Sequence, residues 1–159
     1  MNFLEQLSAE WYGYQGYFVR TNVKVNKRAK GGWDNELDVL AFWAQNGELV
    51  HIESTWDAEP WPKRKARFVT KKFVYSQSQY EEIVGAKIPR VRKIALVGLG
   101  RSTKSDLNWG SGVEVLLIPN FIASVAKELA QKDPLKDVVP EGFPRLRAMQ
   151  LALVYGRTV

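Results

Sequence analysis

The sequence predicts an α/β domain built on a mixed five-stranded sheet flanked by helices. Three observations carry that prediction. The pair Asn46-Gly47, the strongest short hairpin signal, sits between two runs rich in β-branched and aromatic residues. Two further strands follow, one at 92–100 with a continuous apolar run and one at 113–118, both read as buried. The full order reads α-β-β-β-α-β-β-α-α, and a hairpin followed by strand–helix–strand units implies a mixed sheet with helices against it. The chain of 159 residues is read as one domain, 1–159, long enough for a substantial core.

The elements follow in order. Residues 3–15 carry an apolar stripe, Phe3, Leu4, Leu7, Trp11 and Tyr14, at helical spacing, and Gly16 is placed to stop the helix. Glu10 lies toward the end of that helix, off the centre of the stripe. Residues 17–25 read as the first strand, followed by the basic loop NKRAKGG, which holds Arg28 and Lys30. The hairpin arms are 36–44 and 48–55. The breaker Glu59-Pro60-Trp61-Pro62 opens a helix over 62–84, with Ala66, Val69, Phe73 and Tyr80 toward the core. After the two apolar strands come a helix near 120–131, a connector at 132–143 and a last helix over 144–154.

A two-residue type I′ turn fixes the hairpin register. Asp38 then lies opposite Thr55, Glu36 opposite Asp57 and Leu40 opposite Glu53. Alternation puts Glu36, Asp38, Glu53, Thr55 and Asp57 on one face. Asp38 and Glu53 become diagonal neighbours, roughly 7–8 Å apart at the backbone. Four carboxylates at one end of a hairpin repel one another, and a hard divalent cation such as Mg²⁺ resolves the conflict through its oxygen ligands. The bland alternative leaves Glu36 and Asp57 solvated and only one acid buried. His51 shares the Glu53 face, pairs with Phe42 in this register, and reads as a packed core histidine.

Composition narrows the function classes. The chain is 45% hydrophobic and carries no cysteine, so disulfides, thiolate metal sites and a cysteine nucleophile are excluded. A single histidine gives little support to histidine metal sites or Ser/His triads. The N-terminal MNFLEQLSAE has no basic segment of a signal peptide, and no apolar run approaches the ~20 residues of a membrane span, so a cytoplasmic location without membrane contact is expected. Net charge is +6 and the isoelectric point about 9.5, which suits an anionic partner without identifying it. The helix at 62–84 carries Lys63, Arg64, Lys65, Arg67, Lys71 and Lys72 with no acid between, and Lys63, Arg67 and Lys71 recur every four residues along one face. The segment Gly98 to Lys104 matches neither phosphate-loop pattern and reads as a strand-ending turn from which Arg101 and Lys104 could still touch phosphate. Trp33, Trp56, Trp61 and Trp109 sit near loops or strand ends, where core-edge packing is the ordinary role and base stacking the alternative.

These elements, with Glu10 on the first helix, GYFVRTNV at 16–23, ELDVLAF at 36–42 and LVHIEST at 49–55, resemble the PD-(D/E)XK, or restriction endonuclease-like, nuclease superfamily over roughly the first 120 residues. The resemblance implies a single-domain three-layer fold and a prokaryotic, Mg²⁺- or Mn²⁺-dependent endonuclease acting on DNA. It implies Asp38 and Glu53 as metal-binding acids, with Glu10 in support. It also implies a catalytic lysine two residues after the second acid, where this chain has Thr55. Some members carry that lysine on the neighbouring helix, which makes Lys63, Lys65 and Arg67 the local candidates, Lys63 first because it lies in the first turn. DNA contacts are expected from Lys63, Arg67, Lys71, Arg28 and Lys30, with a homodimer left open. The rival expectations are a catalytically inactive DNA-binding descendant and a protein-interaction module with an acidic partner.

Overall fold

The computed structural model describes residues 2–98, 103 and 105–156. The chain runs α1 (Phe3–Tyr14), β1 (Phe18–Lys27), β2 (Trp33–Trp43), β3 (Glu48–Thr55), α2 (Trp61–Arg67), a π-helical turn (Phe68–Lys72), α3 (Gln77–Val84), β4 (Arg90–Val97), β5 (Val113–Leu117), α4 (Ile118–Leu129) and α5 (Pro144–Tyr155). The strands form one sheet in the order β1-β2-β3-β4-β5. The β1–β2 and β2–β3 pairs are antiparallel, and β3–β4 and β4–β5 are parallel. This is the mixed five-stranded α/β architecture that the sequence predicts. Arg101 and Lys104 lie outside the described residues.

Local chemistry sets the helix ends. A capping box between Asn2 and Glu5 starts α1, and a second between Ser76 and Gln79 starts α3. Gly85, in the left-handed region at φ 76°, ends α3. Helices α1, α4 and α5 cover one sheet face, where Leu7, Val125, Leu129 and Leu146 pack with Val39, Val50 and Ile52. The other face is covered by Phe68 and Phe73 of the α2–π segment and by Tyr75 and Tyr80 of the α3 region.

Two expectations are corrected. The hairpin loop has four residues, closed by the Trp43–Glu48 pair, because Gly47 alone takes a positive φ (73°) and its amide reaches the Trp43 carbonyl at 2.9 Å. Asn46 stays out of the left-handed region and accepts the Glu48 amide on its side chain instead. The longer loop shifts the register by two, which preserves parity over the paired stretches 39–43 and 48–52. Leu40 now faces His51, where Phe42 was expected, and Asp38, one residue beyond the last pair, comes beside Glu53. The second correction is the helix at 62–84, which breaks into α2, a π turn and α3. Ala66, expected in the core, is exposed, while Phe68 and Phe73 are buried.

The sheet also changes face locally. Val19 and Val39 belong to the α1 side, whereas Val23, Val25 and Leu37, at the same parity, belong to the α3 side. The slip falls between the Thr21–Val39 and Val23–Leu37 pairs, at Asn22 (φ 52°) and Asp38. The β2–β3 pairing stops at Val39–Ile52, so the outer half of the β1–β2 hairpin projects as a two-stranded arm.

Candidate active site

Where β2 leaves β3, two carboxylates take over from the backbone ladder. The Asp38 amide donates to Glu53 Oε1 (3.2 Å), and the Ser54 amide donates to Asp38 Oδ2 (3.0 Å). The strands are pinned apart at the point where the acids face each other. Each carboxylate keeps one oxygen for a cation. Lys72 Nζ lies 2.6 Å from Glu53 Oε2 and 3.4 Å from Asp38 Oδ1.

Behind Glu53 runs a buried relay. His51 Nε2 lies 2.9 Å from Glu53 Oε1, and His51 Nδ1 lies 2.7 Å from the Tyr80 hydroxyl. Burial holds His51 below the usual histidine range and pushes the Tyr80 phenol up. The ring is therefore neutral, donating through Nε2–H to the carboxylate while Nδ1 accepts the tyrosine O–H. The packed core histidine expected from the sequence is thus also the support of a site acid.

The two acids have opposite electrostatics. Burial and the neighbouring Glu53 charge push Asp38 up to about 7, against the pull of Lys72 and the Ser54 amide. Burial acts in the same direction on Glu53, but the His51 hydrogen bond and the Lys72 ammonium outweigh it and hold that carboxyl below the ordinary glutamate value. Burial would lower Lys72; the two acids prevail and raise it, so it stays an ammonium. Two acids share one lysine, and Asp38 is the member that stays protonated most readily.

The donor set suits a hard cation in part. Asp38 Oδ1 and Glu53 Oε2 converge on one point now facing the lysine, and one or two carboxylates completed by water are what Mg²⁺ ordinarily takes. Among the described residues no group of three or more acids and histidines is placed to hold a metal.

The other expected residues go elsewhere. Glu36 is exposed and faces Lys24 across β1. Glu10 turns away from the acid pair to the start of α5. There its carboxylate accepts the Arg145 and Leu146 amides (2.8 and 3.2 Å) and pairs with the Arg145 guanidinium at 2.6 Å. The cause is local: Phe143 precedes α5 and has no side-chain oxygen to cap it, so an acid from α1 fills the role. The α1 acid whose charge reaches Asp38 is the buried Glu5.

Lys63 is an exposed partner of Glu59 (3.2 Å). The site lysine is Lys72, nine residues further on, carried inward by the π turn that the Phe73 amide closes on the Phe68 carbonyl (2.9 Å). Asp57 leaves the acid pair for a second cluster. Thr55 donates to it, Arg67 pairs with it, and Arg64, buried under Trp61, gives one hydrogen bond to its carbonyl at 2.7 Å and another to its carboxylate at 3.3 Å. Burial pushes Asp57 up, but Thr55 and Arg67 outweigh it and hold the carboxyl far below the usual range. Arg67 also binds Glu59 (2.7 Å).

The basic helix is therefore no free basic face. Five of its six bases are engaged with the chain's own acids or, for Lys65, with the Asn108 carbonyl, leaving Lys71 exposed. Arg28 pairs with Asp34 at 2.6 Å, and Lys30 is exposed on the arm tip.

No family model matches the chain, and no curated protein matches it. Among solved structures it is similar to that of AF1548, a protein of unknown function, at 18% identity and a TM-score of 0.44, covering 98% of this chain and 92% of that one. It is also similar to the small subunit, R.BspD6I2, of the heterodimeric restriction endonuclease R.BspD6I, at 14% identity and a TM-score of 0.34, covering 94% and 89%.

Proposed function

We propose that this chain is a metal-dependent nuclease domain that hydrolyses phosphodiester bonds in DNA, with Asp38 and Glu53 as cation ligands and Lys72 as the catalytic lysine. One observation carries the reading: the Lys72 ammonium sits between the two free carboxylate oxygens at the split between β2 and β3. It answers the difficulty raised by Thr55, because the lysine that the PD-(D/E)XK pattern requires arrives from the neighbouring helix.

A bound Mg²⁺ or Mn²⁺ would supply Lewis-acid stabilisation of the phosphate and an activated water. The remaining work falls to the chain. His51 and Tyr80 fix the Glu53 carboxylate so that Oε2 points outward. Asp38 Oδ1, ionised, and Glu53 Oε2 would hold the cation. Lys72 would supply an ammonium beside these two acids for the phosphate. A lysine is an ammonium near neutral pH, so it would stabilise developing negative charge rather than act as a base. Glu10 is dropped from the ligand set, since its carboxylate caps α5.

Among the described residues no helix is long and apolar enough to cross a membrane, and a cytoplasmic DNA substrate fits the net charge of +6. The test is cleavage of supercoiled and single-stranded DNA with Mg²⁺ and Mn²⁺, with Asp38→Ala as the control against a contaminating nuclease. Product formation that requires Asp38 supports the reading. DNA binding without cleavage in either metal leaves an inactive nuclease-fold DNA binder.

A further inference from the structure

The projecting arm creates a second feature beside the acid pair. A cleft of about 390 Å³ opens between the arm and α3, lined by Lys24, Lys27, Trp33, Tyr75, Gln79 and Glu82 among others. We infer that this cleft binds an unpaired nucleotide of a DNA strand, an inference that rests on the nuclease reading for its place beside the scissile phosphate.

Size is the first argument. The volume falls in the range of small-ligand sites, roughly 300–1,000 Å³, and admits one nucleoside-sized group but not a duplex. Chemistry is the second. Trp33 is 42% exposed and sits opposite Lys27 in the arm, so an aromatic face and a cation share one end of the cleft. Stacking on an aromatic face tolerates any base, and lysines track the backbone phosphate. The Gln79 amide and the Glu82 carboxylate offer a donor and acceptors for a base edge. A paired base is held in its stack and presents no free ring face to Trp33, so the site selects unpaired strands.

Continuity with the acid pair is the third argument. The Tyr75 ring in the cleft lies 6.4 Å, edge-on, from the ring of His51, the residue that holds Glu53. Tyr75 also follows Lys72 by three residues. The cleft is thus one ring away from the relay behind the site.

The experiment is fluorescence anisotropy of a labelled oligo-dT and of a labelled duplex of matched length, in EDTA, with the full chain. The oligo-dT should bind the parent more tightly than the duplex does. Trp33→Ala should weaken oligo-dT binding roughly tenfold and leave the duplex unchanged, with Trp33→Phe restoring most of the loss. Lys24→Ala/Lys27→Ala should flatten the salt dependence for oligo-dT. Equal oligo-dT affinity for the parent and Trp33→Ala, or equal losses on both DNAs, overturns the inference. The two readings fail separately: a cleaving enzyme indifferent to Trp33 keeps the nuclease and loses the cleft, and a Trp33-dependent binder that never cleaves does the reverse.

Discussion

Asp38–Glu53–Lys72 and Asp57–Glu59–Arg64–Arg67 draw their cations from the same short helical segment and lie at the same end of β3. In the second cluster cations are plentiful. Two arginines and Lys63 serve two acids, the guanidiniums bind through several nitrogens, and Asp57 is held far below its ordinary value. In the first, two acids divide one lysine, and Asp38 is pushed up to about 7. Arginine's rigid fork, always charged, suits a permanent brace; lysine's single ammonium on a flexible stem can be displaced. A surplus of fixed cations marks a structural tie. A deficit filled by one mobile cation marks a place where a metal or a phosphate can enter.

The widest separation between the two clusters is expected from single alanine substitutions of their lysines. Lys72→Ala should slow DNA cleavage roughly 10²–10³-fold, the usual loss on removing one group that stabilises transition-state charge. Lys63→Ala, which removes only an exposed pair with Glu59, should leave the rate unchanged. Initial rates of plasmid nicking measure both.

The brace should show itself in stability instead. Asp57→Ala leaves the buried Arg64 without its carboxylate, and unfolding in urea should report a loss of about 3 kcal/mol. Cleavage per folded molecule should survive, provided that substrate concentration is saturating.

Next comes a pH effect. The folded-state value of Asp38 lies above the ordinary 3.8, so its contribution to stability is fully present below about pH 4 and is lost as pH rises through about 7. Asp38→Asn, measured without metal, should flatten that decline by on the order of 2 kcal/mol and make the variant more stable than the parent at pH 8. A parallel pH profile for the two proteins would show that Asp38 titrates normally.

The smallest effect is expected at Thr55. Thr55→Lys removes the hydroxyl that donates to Asp57, at a cost of about 1 kcal/mol in thermal or urea unfolding. It should bring no gain in cleavage, since Lys72 already occupies the place between the acids.

Much of this was legible in the sequence. β3 has the predicted bounds, and Asp38 still meets Glu53 because a register error of two preserves parity, whereas Glu36 falls beyond the local change of face at Asn22 and Asp38. The loop length was not legible, since Asn46-Gly47 fits both a type I′ turn and a longer loop in which only Gly47 takes a positive φ. Glu10 was misread because its partner lies 135 residues away and answers a capping defect at Phe143 that appears only once α5 is docked. Lys72 could have been found. Phe68 and Phe73, both buried, stand five apart, the spacing of a π turn rather than of an α-helix, and Ser76 with Gln79 announces a fresh helix start. Reading 62–84 as one regular helix hid both signals. The run of bases suggested a solvated or DNA-facing surface because the acids that neutralise it, Asp57 and Glu59, precede it in the loop.

Mg²⁺ titration calorimetry at pH 8 on the parent, Lys72→Met and Asp38→Ala/Glu53→Ala tests the central claim most directly. The account predicts binding by the parent, tighter binding by Lys72→Met because the competing ammonium is gone, and no binding heat in the double variant. Identical titrations for all three proteins would contradict it.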